Sequence, residues 1–508
     1  MRTQKAFKNM IYNGLFFVLV SIITFFTKKM FISSLGNNTN GLNSLFSSIM
    51  SFLNLAELGV GGSVIYALYK PIQEKNYSLI KGIISFYKKM YTYSGVAVIL
   101  LGFAVTPFIN IFIKDQMDIS KVQVYFLIYL LNTSLSYFFT YKLPILYVNQ
   151  ENYVISKYDS SIKVIKNIVQ IGILYIFRSY VIFLVIETLF NITYYFIINK
   201  VINKRYKVIF DATGSIDIAT KKDLFKNIKA LSLHKIGGFV VFGTDSMLMS
   251  YFANLNILGL YNNYLMVITF FNSLIAKLFE GLVASIGNLI VSTNNEKTKD
   301  VFNKVYFFNF CLVSFCLVCI YNTINKFVII WLGKDFILDR NIVTLMLINF
   351  YILNMRPSID RFKEAAGIYH NDRFFPLIEA AINFVACIIL GRYLGIAGII
   401  LGTIISSLTV IFWIRPILVY KLVFKSNALE YYINYAKYLF ISLAMLFSSN
   451  YITSFINLKS NFLTFVVTGI FSAIYVNLIF IILFRKTDEY SYFKNFILNK
   501  IGISSKRK

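Results

Sequence analysis

The sequence predicts an all-α polytopic membrane protein, and three observations support this prediction. Of its 508 residues, 57% are hydrophobic and only 14% are charged, and the mean hydropathy of +0.66 lies outside the range of soluble proteins. Stretches such as 96–113 and 396–410 are continuously apolar, as in helices, whereas the strands of a membrane barrel alternate apolar and polar residues. The basic residues, finally, fall mainly in every second gap between the apolar stretches.

The apolar stretches define the predicted helices. A bilayer core about 30 Å thick requires roughly 20 apolar residues per helix, so the chain has room for about fourteen transmembrane helices. The predicted segments are 10–33, 42–68, 91–113, 122–147, 161–177, 179–199, 235–254, 257–291, 305–330, 341–367, 376–393, 396–420, 433–456 and 461–484. The first segment lacks a small-residue cleavage site, so we interpret it as a retained anchor and not as a signal peptide.

The positions of Lys and Arg predict the orientation in the membrane. With a cytoplasmic N-terminus, 38 of the 50 basic residues lie in gaps or segment ends on the cytoplasmic side, and ten lie on the opposite side. Loops rich in Lys and Arg resist translocation, which produces this bias. The net charge of +27 therefore has a cause other than nucleic-acid binding, and no nucleic-acid partner is expected. Both termini are predicted to be cytoplasmic.

The longest gap divides the chain into two lobes. Residues 1–199 form the predicted N-terminal lobe with segments 1 to 6, and residues 200–234 form a basic cytoplasmic linker. Residues 235–425 form the C-terminal lobe with segments 7 to 12, and residues 426–508 add segments 13 and 14 and a basic cytoplasmic tail. Basic loops of this kind contact anionic lipid headgroups, although the linker also serves as an orientation signal.

The two lobes contain an internal repeat. Gly41-Leu42-Asn43 recurs as Gly259-Leu260-Tyr261 at an offset of 218 residues, and Thr27-Lys28-Lys29-Met30 recurs as Thr244-Asp245-Ser246-Met247 at an offset of 217. Pro144 and Pro357, 213 residues apart, each precede a predicted cytoplasmic turn. Because each lobe has six segments, an even number, the repeats are predicted to be parallel. Transporters of this kind place a cavity between their halves.

Four lysines are candidates for a substrate-binding cavity: Lys28, Lys29, Lys142 and Lys277. A charge near the bilayer centre costs roughly 2.5–3.5 kcal/mol on insertion scales, so each requires an explanation. Lys142 and Lys277 lie about 30 Å from the outer ends of their segments and can also extend to the inner headgroups. Lys28 occupies the repeat position equivalent to Asp245. We expect Lys28 or Lys29 to line the cavity.

Four acidic residues are candidates for gating or ion coupling: Glu57, Glu187, Asp245 and Glu280. Asp245 and Glu187 lie about 14 Å and 12 Å from the predicted outer turns, near mid-membrane. Glu57 stands beside Gly59, Gly61 and Gly62, which permit a local helix break or close packing. Glu280 follows Lys277 at i,i+3 spacing and can instead pair with it on one helix. Transport coupled to H⁺ or Na⁺ is one alternative, in which Asp245, Glu187 or Glu57 is the titrating group.

Other chemistry is not indicated. Cys311, Cys316 and Cys319 lie in one apolar segment, where they act as small apolar residues, and Cys387 stands apart. His234 and His370 have no Cys or His neighbour at metal-ligand spacing. There is no Gly-x-x-x-x-Gly-Lys-Ser/Thr stretch for ATP. We therefore expect the protein to be a transporter and not an enzyme, and we expect no metal and no cofactor.

Several motifs resemble those of Wzx-type polysaccharide flippases of bacteria. They span the chain from about Lys8 to Lys425, and the first group is the more specific. They are Leu35-Gly36, Gly41-Leu42-Asn43-Ser44-Leu45-Phe46, Ala56-Glu57-Leu58-Gly59, Leu68-Tyr69-Lys70-Pro71, Thr244-Asp245, Gly259-Leu260-Tyr261-Asn262-Asn263-Tyr264, Glu379-Ala380-Ala381-Ile382-Asn383 and Leu401-Gly402-Thr403-Ile404-Ile405-Ser406.

This resemblance implies the superfamily that also contains MATE exporters and lipid II flippases, with two six-helix lobes and a cavity open to one side at a time. It also implies the substrate, an oligosaccharide repeat unit on undecaprenyl pyrophosphate, flipped across the bacterial cytoplasmic membrane for O-antigen or capsule synthesis. Expected partners are this lipid-linked oligosaccharide, membrane lipids, and the polysaccharide polymerase and other assembly proteins. The Asn, Ser and Tyr residues of the segments, such as Asn43, Asn132 and Tyr264, suit sugar contacts or interhelical hydrogen bonds.

Two other classes of protein compete with this interpretation. A cation-coupled MATE-type drug exporter has the same implied fold but requires an anionic cavity for cationic drugs, and the four lysines argue against it. A membrane enzyme, such as a polymerase or ligase of the same polysaccharide, requires large outer catalytic loops. The longest outer gap here, near Trp331–Arg340, is too short for such a loop.

The predicted topology can be tested with inserted tags. Tags after Asn37 or Lys459 should be accessible to a membrane-impermeant label from outside the cell, whereas tags after Thr213 or Lys508 should react only after permeabilisation, because the basic gaps remain cytoplasmic. External labelling at Thr213 would contradict the fourteen-segment topology.

Overall fold

The protein is built from helices. The computed structural model describes residues 2–54, 60–115, 117–218, 220–226, 228, 241, 243–368 and 371–500, and every element in these ranges is helical. Eleven of these helices are long and apolar enough to cross a membrane, which confirms the predicted all-α membrane fold. The chain divides into two compact units, Met1–Gly259 and Leu260–Lys508.

In the first unit residues 220–226 are helical, and the structure gives the bounds of further helices, the last of which continues into the second unit. They are α1 (Arg2–Leu53), α2 (Val60–Gln73), α3 (Tyr77–Val105), α4 (Ile119–Phe139), α5 (Pro144–Val148), α6 (Asn152–Phe177), α7 (Tyr180–Arg205), α8 (Lys207–Asp211), α9 (Asp245–Phe252) and α10 (Leu255–Glu280). Short 3₁₀ turns follow α3 at Thr106–Phe112 and α4 at Thr140–Lys142.

The second unit continues α10 and adds the remaining helices. They are α11 (Val283–Ser292), α12 (Asn295–Trp331), α13 (Arg340–Met355), α14 (Pro357–Ala365), α15 (Phe375–Leu394), α16 (Ile396–Thr409), α17 (Ile411–Val419), α18 (Leu429–Ser454), α19 (Asn461–Phe484) and α20 (Asp488–Lys500).

Short polar side chains determine where many of these helices begin. An oxygen of the N-cap side chain accepts a hydrogen bond from a backbone N–H of the first turn, which would otherwise lack a partner. Such caps precede α3 (Asn76), α4 (Asp118), α7 (Ser179), α12 (Asn294), α13 (Asp339) and α19 (Ser460). Pro144 and Pro357 each occupy the first position of a short helix, where a missing N–H costs nothing.

The helix bounds differ from the apolar segments in two ways. The first predicted segment and the start of the second form one span, Gly14–Leu53, interrupted at Gly36, whose φ of 83° suits only glycine well. Several helices begin well before their predicted segments, among them α3 at Tyr77 and not at residue 91, α6 at Asn152 and not at residue 161, and α12 at Asn295 and not at residue 305. Hydropathy detects the apolar part of a helix but not its charged first turns, so these starts were predicted too late.

The helix packing repeats between the units, as the sequence predicted. In the first unit α2 packs on α5, α3 on α4, α4 on α7 and α6 on α7. In the second unit the corresponding pairs are α11 with α14, α12 with α13, α13 with α16 and α15 with α16. The same order of neighbours along the chain in both units supports parallel repeats.

Interhelical hydrogen bonds join the helices, as predicted for the polar residues of the segments. In the first unit the Tyr180 hydroxyl donates to Asn43 Oδ1 at 2.9 Å, and Asn191 Nδ2 donates to Asn132 Oδ1 at 2.9 Å. In the second unit α12 forms hydrogen bonds with α18 and α19. Asn322 Nδ2 on α12 donates to the hydroxyl oxygens of Ser449 and Ser472, each at 3.0 Å. These bonds fix helix positions where apolar lipid provides little driving force for association.

Two repeat-related glycines form a reciprocal contact within the first unit. A Cβ added at Gly41 would overlap the backbone carbonyl of Leu255, and a Cβ added at Gly259 would overlap that of Asn37. Both the glycines and the residues that they approach are related by the predicted offset of 218. Asn40 Nδ2 donates to the Gly259 carbonyl oxygen at 3.0 Å, which fixes this close backbone approach.

Gly41→Ala and Gly259→Ala should each destabilise the protein. The new methyl group would overlap backbone atoms that cannot rotate away, and overpacking of this kind costs about 1–3 kcal/mol. Thermal unfolding in detergent should therefore show a lower Tm for both variants. Gly172→Ala is the matched control, because no atom lies within 4 Å of its added Cβ and Ala is the better helix former. An unchanged Tm in Gly41→Ala would contradict the contact.

Candidate functional site

The four predicted cavity lysines lie at separate places. Lys28 is half-buried within the span Gly14–Leu53, and its Nζ lies 5.8 Å from the centre of the Phe31 ring. Lys29 is exposed at the protein surface. Lys142 ends the 3₁₀ turn after α4, and Lys277 is exposed in the last turn of α10 in the second unit. Their assignment to a substrate cavity stays a prediction.

The described members of the predicted acidic set lie on three different helices. Glu57 lies outside the described residues. Asp245 is half-buried in the first turn of α9, and Glu280 is exposed at the end of α10, three residues after Lys277. Glu187 lies on α7 and has a basic partner that the sequence did not indicate. Roles of these residues in gating or ion coupling stay predictions.

Glu187 forms an ion pair inside the first unit. Lys166 Nζ on α6 donates to Glu187 Oε1 at 2.6 Å, and the side chains of Lys166 and Glu187 are only 12% and 27% exposed. Gln170, one turn further along α6, donates from Nε2 to the other carboxylate oxygen at 3.3 Å. Both oxygens of the carboxylate therefore have partners, which offsets the cost of placing it within a membrane-spanning helix.

Lys142 belongs to a basic cavity at the ends of α3, α4 and α7. The cavity has a volume of about 940 Å³. Its lining includes Asp211 and six lysines, which are Lys81, Lys88, Lys142, Lys200, Lys204 and Lys207. Lys142 Nζ donates to Asn203 Oδ1 at 2.7 Å and lies 4.8 Å from the centre of the Phe210 ring. Only Lys142 among the residues predicted for the substrate site lines this cavity.

A carboxylate close to the end of α7 already has partners of its own. Glu151 Oε2 lies 3.1 Å from Arg205 Nε and accepts a hydrogen bond from the Tyr206 hydroxyl at 3.0 Å. Burial and the neighbouring Glu151 carboxylate raise the pKa of Tyr206 well above its ordinary value. The phenol therefore stays protonated and donates throughout the physiological pH range, and Glu151 does not line the basic cavity.

The second unit contains a cluster of four charged side chains that are buried or partly buried. Arg415 Nη1 donates to both carboxylate oxygens of Asp360 at 2.7 Å. Arg356 Nη2 lies 3.5 Å from Glu379 Oε1, which also accepts from the Ser407 hydroxyl at 3.2 Å. Two positive and two negative groups balance, and hydrogen bonds between ionised partners are stronger than those between neutral groups, which stabilises the cluster.

Sequence reasoning missed Lys166, Arg356, Glu379 and Arg415. A signal was present, because all four lie inside the predicted segments 161–177, 341–367, 376–393 and 396–420. Their basic members were counted with the cytoplasmic loops, although Arg356 lies well inside its segment. The depth of a residue in the membrane does not show whether its side chain faces a residue of opposite charge on another helix.

Comparison with known proteins identifies the fold. Neither a scan against protein-family models nor a search of curated proteins finds a match. Among solved structures, the lipid II flippase MurJ in an inward closed conformation matches with a TM-score of 0.61 and 18% identity, over 91% of this chain and 99% of MurJ. An inward-facing multidrug resistance MATE family transporter of the MOP superfamily matches with a TM-score of 0.59 and 12% identity, over 78% of this chain and 93% of its own.

A mutant of the Vibrio cholerae MATE transporter VcmN matches with a TM-score of 0.57 and 12% identity, over 84% of this chain and 98% of its own. The chain thus has the multi-helix membrane fold that flippases and MATE transporters share. Within that class, the match to the MurJ lipid II flippase extends over a larger share of this chain than either MATE match.

The Lys166–Glu187 pair should be energetically coupled. Lys166→Met or Glu187→Leu alone leaves a buried charge without its partner, whereas the double variant removes both charges. We expect a coupling free energy of about 1–2 kcal/mol, less than the ~3–5 kcal/mol lost on breaking a fully buried pair, because Glu187 is 27% exposed.

A double-mutant cycle on thermal unfolding in detergent measures this coupling. The control is Lys70–Glu74, a pair at 3.8 Å with 84% and 52% exposure, for which coupling close to zero is expected. Additive effects of Lys166→Met and Glu187→Leu would show that the pair contributes nothing to stability.

Proposed function

We propose that this protein is a flippase that transfers undecaprenyl-pyrophosphate-linked oligosaccharide repeat units across the bacterial cytoplasmic membrane by alternating access, for synthesis of a surface polysaccharide such as O-antigen or capsule. The fold supports a transporter of this class. The motif resemblance to Wzx-type flippases supports the lipid-linked oligosaccharide as substrate. The match over 91% of the chain to a lipid II flippase is consistent with a lipid-linked substrate.

One observation carries the proposal for an anionic substrate. Lys28 lies eight residues, or about 12 Å of helix, before the break at Gly36, within the span Gly14–Leu53. It is half-buried, and no carboxylate lies within ion-pair distance of it in the described part of the chain. A cation in such a position is costly unless it meets water or an anion. A transported pyrophosphate group would supply that anion.

The chemistry of the substrate explains why such cations are needed. A pyrophosphate and polar sugars cannot enter hydrocarbon without partners for their charges and hydroxyl groups. We assign Lys28 and Lys29 to the pyrophosphate, with Lys142 and Lys277 as further cations along the path. Charge-assisted hydrogen bonds from ammonium groups to phosphate oxygens are among the stronger polar contacts in proteins. The polyprenyl tail remains in the bilayer.

The acidic residues provide a means of coupling. Protonation of Glu187 would weaken its ion pair with Lys166, so a proton could release α6 from α7 during transport. Asp245, at the repeat position of Lys28, is the second candidate, followed by Glu57 and Glu280. H⁺ and Na⁺ remain alternative coupling ions. The polymerase and the other proteins of polysaccharide assembly are the proposed partners.

The alternative function is a cation-coupled MATE-type drug exporter, which the two MATE matches keep open at the level of fold. Cationic drugs require a binding site with negative charge. Lys28 is half-buried and has no acidic partner in the described part of the chain, so its positive charge disfavours the binding of a cationic drug.

Replacing Lys28 and Lys29 together by Ala should reduce flipping of a fluorescent lipid-linked oligosaccharide in reconstituted vesicles by about tenfold or more, because charge-assisted hydrogen bonds to the pyrophosphate are lost. Lys28→Arg should preserve most of the activity, since it keeps the positive charge. Lys459→Ala, in the exposed segment between α18 and α19, is the control for loss of a surface lysine.

The Tm of every variant should be measured, so that loss of fold is separated from loss of transport. Normal flipping by the double variant would overturn the assignment of these lysines. A wild-type protein that transports a cationic dye but no lipid-linked oligosaccharide would favour the exporter.

A further inference from the structure

The basic cavity of the first unit lies at the ends of three membrane-spanning helices. Lys142 is the last residue of the span Ile119–Lys142, and Lys200 and Lys204 lie in the final turns of the span Tyr180–Arg205. Lys81 lies one turn inside the start of the span Tyr77–Phe112. Three spans therefore place their polar ends around one cavity, at the level where lipid headgroups meet the protein.

We propose that this cavity binds a phosphate-bearing lipid headgroup. Basic pockets between transmembrane helices on the cytoplasmic side are suited to anionic headgroups. The inference is tested by binding and not by transport, and Lys142 is the one described residue of this cavity that is also assigned above to the substrate path. Two sources share the required chemistry: an anionic glycerophospholipid of the membrane and the pyrophosphate of a polyprenyl-linked substrate.

The lysines are arranged on two helical faces. Lys81 and Lys88 lie seven residues apart on α3, and Lys200 and Lys204 lie at i and i+4 near the end of α7, whereas Lys207 begins α8 after the helix is interrupted at Tyr206. Residues with this spacing share one face of a helix. Lys142 stands between the two faces on the 3₁₀ turn after α4. The lysines are thus directed into one volume and not distributed around the helices.

The cavity has too few acids for its lysines. Asp211 is the only acidic residue that lines it, and none of its six lysines has an ion pair in the part of the chain that the structure describes. Other lysines of the same unit are paired, such as Lys163 with Asp159 at 2.8 Å and Lys166 with Glu187 at 2.6 Å. Six like charges around one cavity repel each other, and a bound polyanion would remove that repulsion.

Two of the lysines are held in place by the protein. Lys81 Nζ donates to the backbone carbonyl oxygen of Phe210 at 2.7 Å, and Lys142 Nζ donates to Asn203 Oδ1 at 2.7 Å. Both side chains are half-buried, and both ammonium groups lie near the Phe210 ring, at 5.4 Å and 4.8 Å from its centre. An ammonium has three N–H donors, so each retains two for a ligand. The donors are therefore positioned before a ligand arrives, which reduces the entropy lost on binding.

The segment after α8 packs closely on α3, and the cavity has a suitable size. The chain that follows α8 passes close against α3, because an added Cβ at Gly214 would overlap the Ser78 carbonyl and one at Gly82 would meet the backbone of Ser215 at 2.6 Å. The volume of about 940 Å³ lies within the ~300–1,000 Å³ typical of ligand pockets. A headgroup bearing one or two phosphates fits such a volume.

Binding to the full-length protein in nanodiscs of neutral phosphatidylcholine tests the proposal. Three probes are titrated separately: inorganic pyrophosphate, a short-chain phosphatidylglycerol and a polyprenyl pyrophosphate. The cavity variant combines Lys81→Gln, Lys142→Gln and Lys204→Gln. The control combines Lys421→Gln, Lys425→Gln and Lys486→Gln, which removes the same charge from exposed positions in the second unit.

We expect saturable binding of at least one probe to the wild-type protein, weakened about tenfold or more in the cavity variant and changed less than about twofold in the control. Of the two lipid probes, the one that shows this pattern identifies the source of the headgroup, and inorganic pyrophosphate tests the phosphate contacts alone. The proposal is overturned if no probe saturates, or if both triple variants lose affinity equally. This experiment measures binding and not transport. Its result therefore does not depend on the outcome of the flipping assay with the Lys28 and Lys29 variants.

Discussion

The absence of hydrogen-bonding partners in hydrocarbon is the constraint on which the rest of this structure depends. A backbone that crosses a membrane must satisfy its N–H and C=O groups internally, so each crossing segment of this chain is a helix. The same constraint extends to side chains. Asn322 reaches two serines on neighbouring helices, and Arg415 contacts both oxygens of Asp360. Polar groups inside the units therefore meet each other and determine which helices are neighbours.

The lysines divide into two groups under this constraint. Those such as Lys166 have a carboxylate from another helix and stabilise the packing. Those such as Lys28 and Lys142 lack a described carboxylate partner and have an aromatic ring or an amide oxygen nearby. Lysines in the second group do little for the stability of a unit, since an unmatched ammonium is expensive to desolvate. The anion-binding roles proposed above would explain why such positions hold lysine.

Much of the fold could be predicted from apolar length and from the placement of Lys and Arg, because both reflect the bilayer directly. The starts of α3 and α12 could not, since charged turns such as the one containing Lys81 extend a helix beyond its apolar part. The basic cavity is lined largely by charged turns at helix ends, with Lys81 and Lys88 near the start of α3 and Lys200 and Lys204 at the end of α7, and so only Lys142 was among the predicted residues. The partner of Glu187 was missed for another reason. Whether a lysine on α6 faces α7 depends on the rotation of two packed helices, which neither depth nor hydropathy specifies.

The reciprocal contact of Gly41 and Gly259 has a consequence for how the chain tolerates mutation. Each copy of the repeated segment places a glycine against the backbone four residues before the glycine of the other copy. The contact is the same in both directions, so each of its two sides depends on one glycine. Because both copies belong to one chain, a mutation changes one side at a time, and the chain must keep the two glycines independently.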